Sequence, residues 1–511
     1  MSTIYEKEAL FENLDEAVAQ IKEYVVGAVG QEELHAVEQQ LFRRLQRVGR
    51  MFVETFVTLS GSGYEAGNPP LTAAGLPLRY KGTVASPYVS IFGEITICRA
   101  AYAPAEGGRV YPIDAQLNLP EHQYSYLLLK WVQAAAAEQD FRTAVNRFNE
   151  LFDSSFFPEL PQRQGRPIAA YVEPFYAQVE APPPETEGSH IALCADGKGV
   201  RILRAERPDP SLEEALPKPR LGKGEKPGLK KEAVVVTDFS FHPEARTAEQ
   251  LVKGLLNHYT PQEKKQAQRE RQQRRQEGWP QPRAPLNKHV FATLDGKAAA
   301  FEHLLHHLQR RDPTGCKPLI ALLDGDPALE KALKEHLATA GLPDRLQATI
   351  LDITHVSEYL WEVGTALYGE KGAQRVCWVE EKLYALLEGK VGYLIGGLRQ
   401  RGTKNQESLT HAQKKTLEKA ITYFENHRHM MHYDTYLKNG YPISTGVVEG
   451  TCSSLVKDRM EQSGMRWSIT GAQAVLKQRA VVKNSDWNVF WNFYIDSERL
   501  RLYPTGYERA A

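Results

Sequence analysis

The chain has no long hydrophobic run, very little cysteine and no net charge, and each lack narrows what it can be. No apolar stretch reaches the roughly 18–20 residues that span a bilayer, and no apolar run follows a basic start as in a signal peptide. Membrane insertion and secretion are therefore not expected. Cysteine is limited to Cys98, Cys194, Cys316, Cys377 and Cys452, five in 511 residues, with no CxxC pair. An odd, scattered set suggests neither a disulfide framework nor a cysteine zinc site, and it fits a reducing, cytoplasmic setting. The 63 Lys+Arg balance 63 Asp+Glu, so bulk charge neither favours nor excludes nucleic acid. Local distribution has to decide. The length allows several domains with their own cores.

Residues 1–60 read as helical. Leu14, Val18, Ile21 and Val25 form one apolar face, and Leu41, Leu45, Val48 and Phe52 another. A Gly/Pro-rich break at 61–75 precedes a small β module within 76–120, with strands expected at 84–92, 94–102 and 109–113 and a turn at 106–108. Residues 121–180 turn helical again. Tyr126, Leu127, Trp131, Val132 and Ala135 make a core stripe, a second helix runs from Phe141 to near Phe152, and a turn at 157–165 leads to a third at 168–176. Short helices with tight turns suit a helix-turn-helix DNA-binding unit, as they suit any small helical domain. The Pro-rich 181–185 is a stiff linker.

Beyond the linker, within 186–355, the pattern changes to buried strands. Residues 191–196 end on Asp196, followed by Gly197 and Lys198; further strands are expected at 233–241, 290–294, 317–323 and 345–351. The fourth ends in Asp324-Gly325-Asp326 and the fifth in Asp352-Ile353-Thr354-His355. A Pro/Lys/Gly-rich loop fills 205–231. A basic arm at 261–288 carries Lys264, Lys265, Arg269, Arg271, Arg274, Arg275 and Arg283. Such an arm is either a solvated face or a phosphate-neutralising one. His303, His306 and His307 read as helix-surface residues, since no acid or cysteine frames a zinc site. Residues 356–440 form a helical stretch with helices at 356–367, 376–389 and 412–430, and His427, His429 and His432 also read as surface residues. In 441–511, the stretch 444–468 reads as one helix, capped by Ser444 or Thr445 and ended by Gly464, with Val448, Cys452 and Leu455 as its buried stripe. Glu449 lies in its first turn, where a carboxylate can simply complement the helix dipole. Lys457, Arg459 and Arg466 follow, then Trp467, Trp487 and Trp491.

An acid at the end of the first strand, another after the fourth and a glutamate on a later helix describe an α/β, RNase H-like catalytic core. Such a core is a mixed five-stranded sheet with helices, here interrupted by an all-helical insertion and preceded by α+β DNA-binding modules. Phosphoryl transfer needs two metal ions roughly 3.5–4 Å apart, and magnesium takes a few hard carboxylate oxygens. Strand-terminal aspartates are common, so spacing alone is weak. Asp324 is preferred to Asp326 because it directly ends the apolar run.

The segments CADGKGV (194–200), LLDGD (322–326), DITHVSEYLWEVGTAL (352–367) and YPISTGVVEGTCSSLVKDRMEQSGMRW (441–467) resemble the DDE transposases of bacterial insertion sequences, most of all the ISKra-type family. The tail 472–493 resembles them too, and 93–120 more loosely. The resemblance implies that Asp196, Asp324 and Glu449 form a catalytic triad holding two Mg2+ ions, with Mn2+ able to substitute. Asp352 and His355 match the C/DxxH signature and take a supporting role. The implied reaction is hydrolysis at terminal-repeat DNA of a transposon end, followed by attack of the exposed 3′-hydroxyl on target DNA. Lys198, Lys264, Lys265, Arg269, Arg274, Arg275, Lys457, Arg459 and Arg466 would contact DNA, and pairing of ends implies a homodimer or larger assembly. Relatives often carry paired cysteines near 101–105; this chain has none there, so packing is expected to hold the module. Two alternatives stay open: a nuclease that cuts without joining, and a catalytically silent, transposase-derived DNA-binding protein.

Overall fold

A computed structural model describes residues 2–67, 69–71, 76–104, 108–152, 154–203, 230–258, 260–277, 285–404, 409–444 and 446–504, and among these all side chains but those of 2–9, Arg271, Arg275, 447–449 and Ser463. The expected loop at 205–231 falls almost wholly outside the described residues, as do the turn residues 105–107, Thr445 and Arg283. The chain forms two compact units. One joins Met1–Phe175 to Ser485–Ala511, and the other is Tyr176–Asn484.

The first unit begins with two long helices, Ser2–Ala28 and Leu34–Ser60. Leu14 and Val48 are buried as their apolar spacing requires, but Leu45 and Phe52 are 57% and 51% exposed. Strands β1 (Arg79–Ser90) and β2 (Gly93–Ala103) pair as an antiparallel hairpin. Its turn residue Phe92 seats on the second helix at Gly49, where a Cβ would come within 2.6 Å of the ring. The third strand expected at 109–113 is reduced to a bridge between Val110 and Tyr102, because Pro112 opens the short helix Pro112–Gln116. Three helices follow, Tyr126–Glu138, Phe141–Phe152 and Glu159–Ala169. The Ser125 hydroxyl accepts from the Leu128 amide and starts the first of them. The 157–165 stretch, expected as a turn, supplies most of the third helix. The last helix among the described residues, Trp487–Leu502, belongs to this unit and not to the sheet-bearing one. Its Phe490 packs edge-on against Phe175, and its Tyr494 against Tyr126 and Tyr171.

The second unit is built on a mixed sheet of β3 (His190–Arg201), β4 (Lys230–Phe241), β5 (Leu286–Thr293), β6 (Leu319–Leu323) and β7 (Leu346–Leu351). The strand order is β5-β4-β3-β6-β7. Pairing is antiparallel between β3, β4 and β5, and parallel between β3, β6 and β7. Residues 191–195, 233–241 and 319–323 are buried without alternation, as strands covered on both faces must be. The expected α/β class and five strands are thus present.

β3 does not end at Asp196. It runs on to Arg201 opposite β4, and only its parallel pairing with β6 stops, at Ala195 and Leu323. Gly197 and Gly199 permit this extension: a Cβ on them would meet the Glu232 and Lys230 side chains of β4 at 2.3 and 2.8 Å.

Among the described residues, β7 is followed by five α-helices before Ser444: Ile353–Tyr368, Ala373–Leu387, Val391–Lys404, His411–Asn426 and Tyr433–Lys438. The third and fifth lie within the expected helical stretch but outside the three helices named in it. The stretch read as one helix from Ser444 is wound in several ways: α-helix at Gly446–Thr451, π-helix at Cys452–Lys457, a short α-turn at Asp458–Met460 and a 3-10 turn at Gln462–Gly464. Gly464 ends it with φ 69°. Among the described residues, no helix is long and apolar enough to cross a membrane.

Candidate active site

Asp196 and Asp324 are each the first residue after the last parallel pair of β3 and β6, Ala195 with Leu323. The sheet register therefore sets these two carboxylates side by side. Their mutual influence is visible in the acidity of Asp324. Burial, and with it the charge of Asp196, raises its carboxyl above the ordinary carboxylate value, against the Asp326 amide and His355, which pull the other way. The Asp326 N–H donates to Asp324 Oδ1 at 2.9 Å, and the Gly197 N–H to Asp196 Oδ1 at 2.6 Å.

The helical stretch from Gly446 lies against this pair. The Cys452 thiol is pushed up by burial and then by Asp196, to which it hydrogen-bonds; Lys198 and Asp324 also act on it. Cys452 is 4% exposed and Leu455 is fully buried, as the apolar spacing predicts. Glu449 lies three residues before Cys452, in the helix Gly446–Thr451. Its side chain, like that of Val448, lies outside the described ones. Ser444 Oγ accepts from the Gly446 N–H at 3.2 Å and so caps this helix. Ser444 Oγ also lies 3.2 Å from Thr354 Oγ1, and the Ile353 N–H donates to the Ile443 carbonyl at 3.0 Å. The start of the Glu449 helix is therefore tied to the 352–355 segment.

The three nearby acid and histidine candidates separate by role. Asp326 caps the Pro327–Thr339 helix through the Ala328 amide and pairs with Lys297 Nζ at 3.3 Å. Asp352 is fully buried and caps the Ile353–Tyr368 helix through the Thr354 amide. His355 stays partly exposed, 3.5 Å from Glu358 and close enough for its charge to act on Asp324.

Two side chains that the sequence did not place in the site, Tyr423 and His427, reach the same turn. The Tyr423 hydroxyl donates to the Asp324 carbonyl at 2.9 Å, and His427 Nε2 lies 2.7 Å from the Gly325 carbonyl oxygen. His427, expected at the surface, is 7% exposed. A Tyr and a His four apart on one helix face mark a shared face in sequence, but nothing there says what they meet.

The cationic candidates divide by exposure. Lys264, Lys265, Arg269 and Arg274 are exposed on the regular helix Pro261–Gln276, while the Arg275 side chain lies outside the described ones. Lys457 and Arg466 are exposed and Lys198 is half-buried. Arg459 departs from expectation. It is fully buried, with its guanidinium 4.7 Å over the Trp467 ring and 3.3 Å from the Met465 sulfur. It is a core residue here, and burial keeps it from a DNA backbone.

His303 and His307, also expected at the surface, belong to a buried cluster with His289 and Asp238. Asp238 lies opposite Leu193 and His289 in the register, so strand alternation puts this cluster on the sheet face away from Asp196.

Two adjacent carboxylates in a half-buried setting offer hard oxygen donors and mutual repulsion that a divalent cation relieves, which suits Mg2+. Among the described residues, which leave out the Glu449 side chain, no group of three or more His, Cys, Asp and Glu is arranged to hold a metal. Comparison with protein-family models and with curated proteins finds no match to this chain.

Proposed function

We propose that the chain is a DDE transposase of an insertion sequence, with an RNase H-like core carried by the five-stranded sheet. The observation that carries this reading is the pairing of Asp196 with Asp324 at the end of the β3–β6 ladder, with the Glu449-bearing helix packed beside them through Cys452. The strand order, with one antiparallel strand neighbouring the carboxylate-bearing one, and the sequence resemblance support it further. Asp196, Asp324 and Glu449 would hold Mg2+, which when bound activates the attacking oxygen and steadies the leaving one. The remaining work falls to the chain's own groups. His355, partly exposed and close enough for its charge to act on Asp324, can meet a phosphate oxygen. Lys198 offers a cation at the site, and the exposed Lys457, Arg466 and helix Pro261–Gln276 offer more for the DNA backbone. Terminal-repeat DNA and target DNA would be the substrates, bound by a homodimer or larger assembly.

A plasmid assay in cells tests this. Transposon ends are taken from the DNA flanking the gene, and wild type is compared with Asp196→Asn and Glu449→Gln. Joined products are expected from wild type, falling about 100-fold or more in each variant, because a ligand change should exceed the outer-shell losses known for metal sites. Cutting without joining would identify a nuclease. Products that survive both substitutions would refute the triad.

A further inference from the structure

The Asp324 carboxylate sits on a turn, and the turn is held from outside the sheet. β6 ends at Leu323, and the chain bends through Gly325 at φ 97° before Asp326 starts the next helix. One helix of the helical insertion, His411–Asn426 with its C-cap, reaches both carbonyls: the Tyr423 hydroxyl donates to that of Asp324, and His427 Nε2 lies within hydrogen-bond distance of that of Gly325. Gly325 is what lets them approach. A Cβ there would lie 2.9 Å from the Tyr423 hydroxyl oxygen, 3.2 Å from His427 Nε2 and 3.0 Å from Leu351 Cδ1.

Both side chains are themselves fixed. Tyr359 stacks on Tyr423 at 4.0 Å between ring centroids and 11° between planes. His427 Nδ1 lies 2.8 Å from the Tyr423 carbonyl. The insertion also holds the neighbouring strand end, where the Tyr433 hydroxyl donates to the Leu351 carbonyl at 2.9 Å. Through the Asp326 amide on Asp324 Oδ1, the turn's backbone in turn orients the carboxylate.

We infer that the helical insertion is the positioning element of the Asp324 carboxylate: Tyr423 and His427 set the 324–326 turn so that this carboxylate can bind a divalent cation. The inference rests on Asp196 and Asp324 being cation ligands. Neither Tyr423 nor His427 touches the cation. They act through the main chain, as outer partners of a metal ligand do, and loss of such a partner costs about 10–100-fold in affinity.

The test is binding of Mn2+, read by its paramagnetic resonance, to the full chain without DNA. Backbone hydrogen exchange over 324–326 and a thermal melt are measured alongside. Tyr423→Phe removes one hydroxyl and leaves the ring and its stack in place. It is expected to weaken Mn2+ binding about 10-fold and to speed exchange at the turn, with little change in melting. His427→Gln keeps an N–H donor and should retain more affinity than His427→Ala. Glu418→Ala, exposed on the same helix, should change nothing. Wild-type affinity in Tyr423→Phe and His427→Ala, with Asp196→Asn abolishing binding, would overturn the inference and leave the proposed function standing. No Mn2+ binding by wild type, or binding untouched by Asp196→Asn, would bring down both. If the His427 variants do not fold, Tyr423→Phe decides alone.

Discussion

Asp238 is a fully buried carboxylate on β4 that stays charged because of what faces it from the Lys297–Arg311 helix. Burial alone would raise its carboxyl; His307 and then Arg311 more than reverse this and hold it well below the usual range. Arg311 spans two acids, with Nη1 2.6 Å from Asp238 and Nε 2.6 Å from Glu187. The neighbouring histidines go the other way. Burial, with His307 next, pushes His303 down to about 3, and burial pushes His289 well below its ordinary value. These rings are neutral in the folded chain and take up protons near pH 6.5 when it unfolds. Between about pH 3 and 6.5 the unfolded state thus binds more protons, so stability falls as pH falls through that window. Asp238 adds to the loss further down, as pH drops below about 3.9 toward its lowered folded value. Urea midpoints measured at pH 7.5, 6 and 5 should decline steadily below about 6.5; a flat profile would contradict the buried cluster. None of this was legible in sequence. Helical spacing shows that His303 and His307 share a face, but not that the face meets Asp238 and His289 on separate strands.

β5 is the edge of the five-stranded sheet, and side chains take backbone groups in its middle and just past its end. The Val290 amide donates to Asn484 Oδ1 at 2.9 Å and its carbonyl accepts from Asn484 Nδ2 at 3.0 Å. The Leu294 amide donates to Gln473 Oε1 at 2.7 Å. Both residues belong to the Ile469–Lys483 helix and its C-cap, so one helix closes the edge against pairing with another chain. The double substitution Gln473→Ala, Asn484→Ala should cost about 1–3 kcal/mol for each orphaned group. It should also bring on light scattering during heating at temperatures where wild type stays clear. Unchanged scattering would show that the edge needs no such cover. The strands themselves were legible as apolar runs, and so were Asp196 and Asp324, because a carboxylate that breaks a buried run is conspicuous. The continuation of β3 past Asp196 was hidden, since Gly197 and Gly199 read as a break. The π-wound segment at Cys452–Lys457 was hidden as well, because that winding leaves the apolar stripe nearly unchanged.

At the scale of the molecule, the sheet-bearing unit is one continuous stretch set inside the other, whose chain leaves at Phe175 and resumes at Ser485. The returning helix gives the first unit some of its largest buried side chains, Phe490, Trp491 and Tyr494. The tail's tryptophans were plain in the sequence, but their partners were not, since packing across 300 residues leaves no local mark. Truncation after Asn484 removes all three, at about 3–5 kcal/mol for a single large aromatic. The first unit should then lose its fixed tertiary packing, seen as a loss of near-ultraviolet dichroism from its aromatics, while the second unit keeps a cooperative melt. Retention of a cooperative melt by both units would refute this division. The same arrangement has a consequence in time. A ribosome adding about 5–20 residues per second needs roughly 15–60 s to pass from Phe175 to Ser485. Through that interval the early helices stand without the segment that closes their core, and the later-made unit is complete before that segment follows. The order of synthesis and the order of completion are reversed, and the nascent chain spends that wait with aromatic surface open to chaperones.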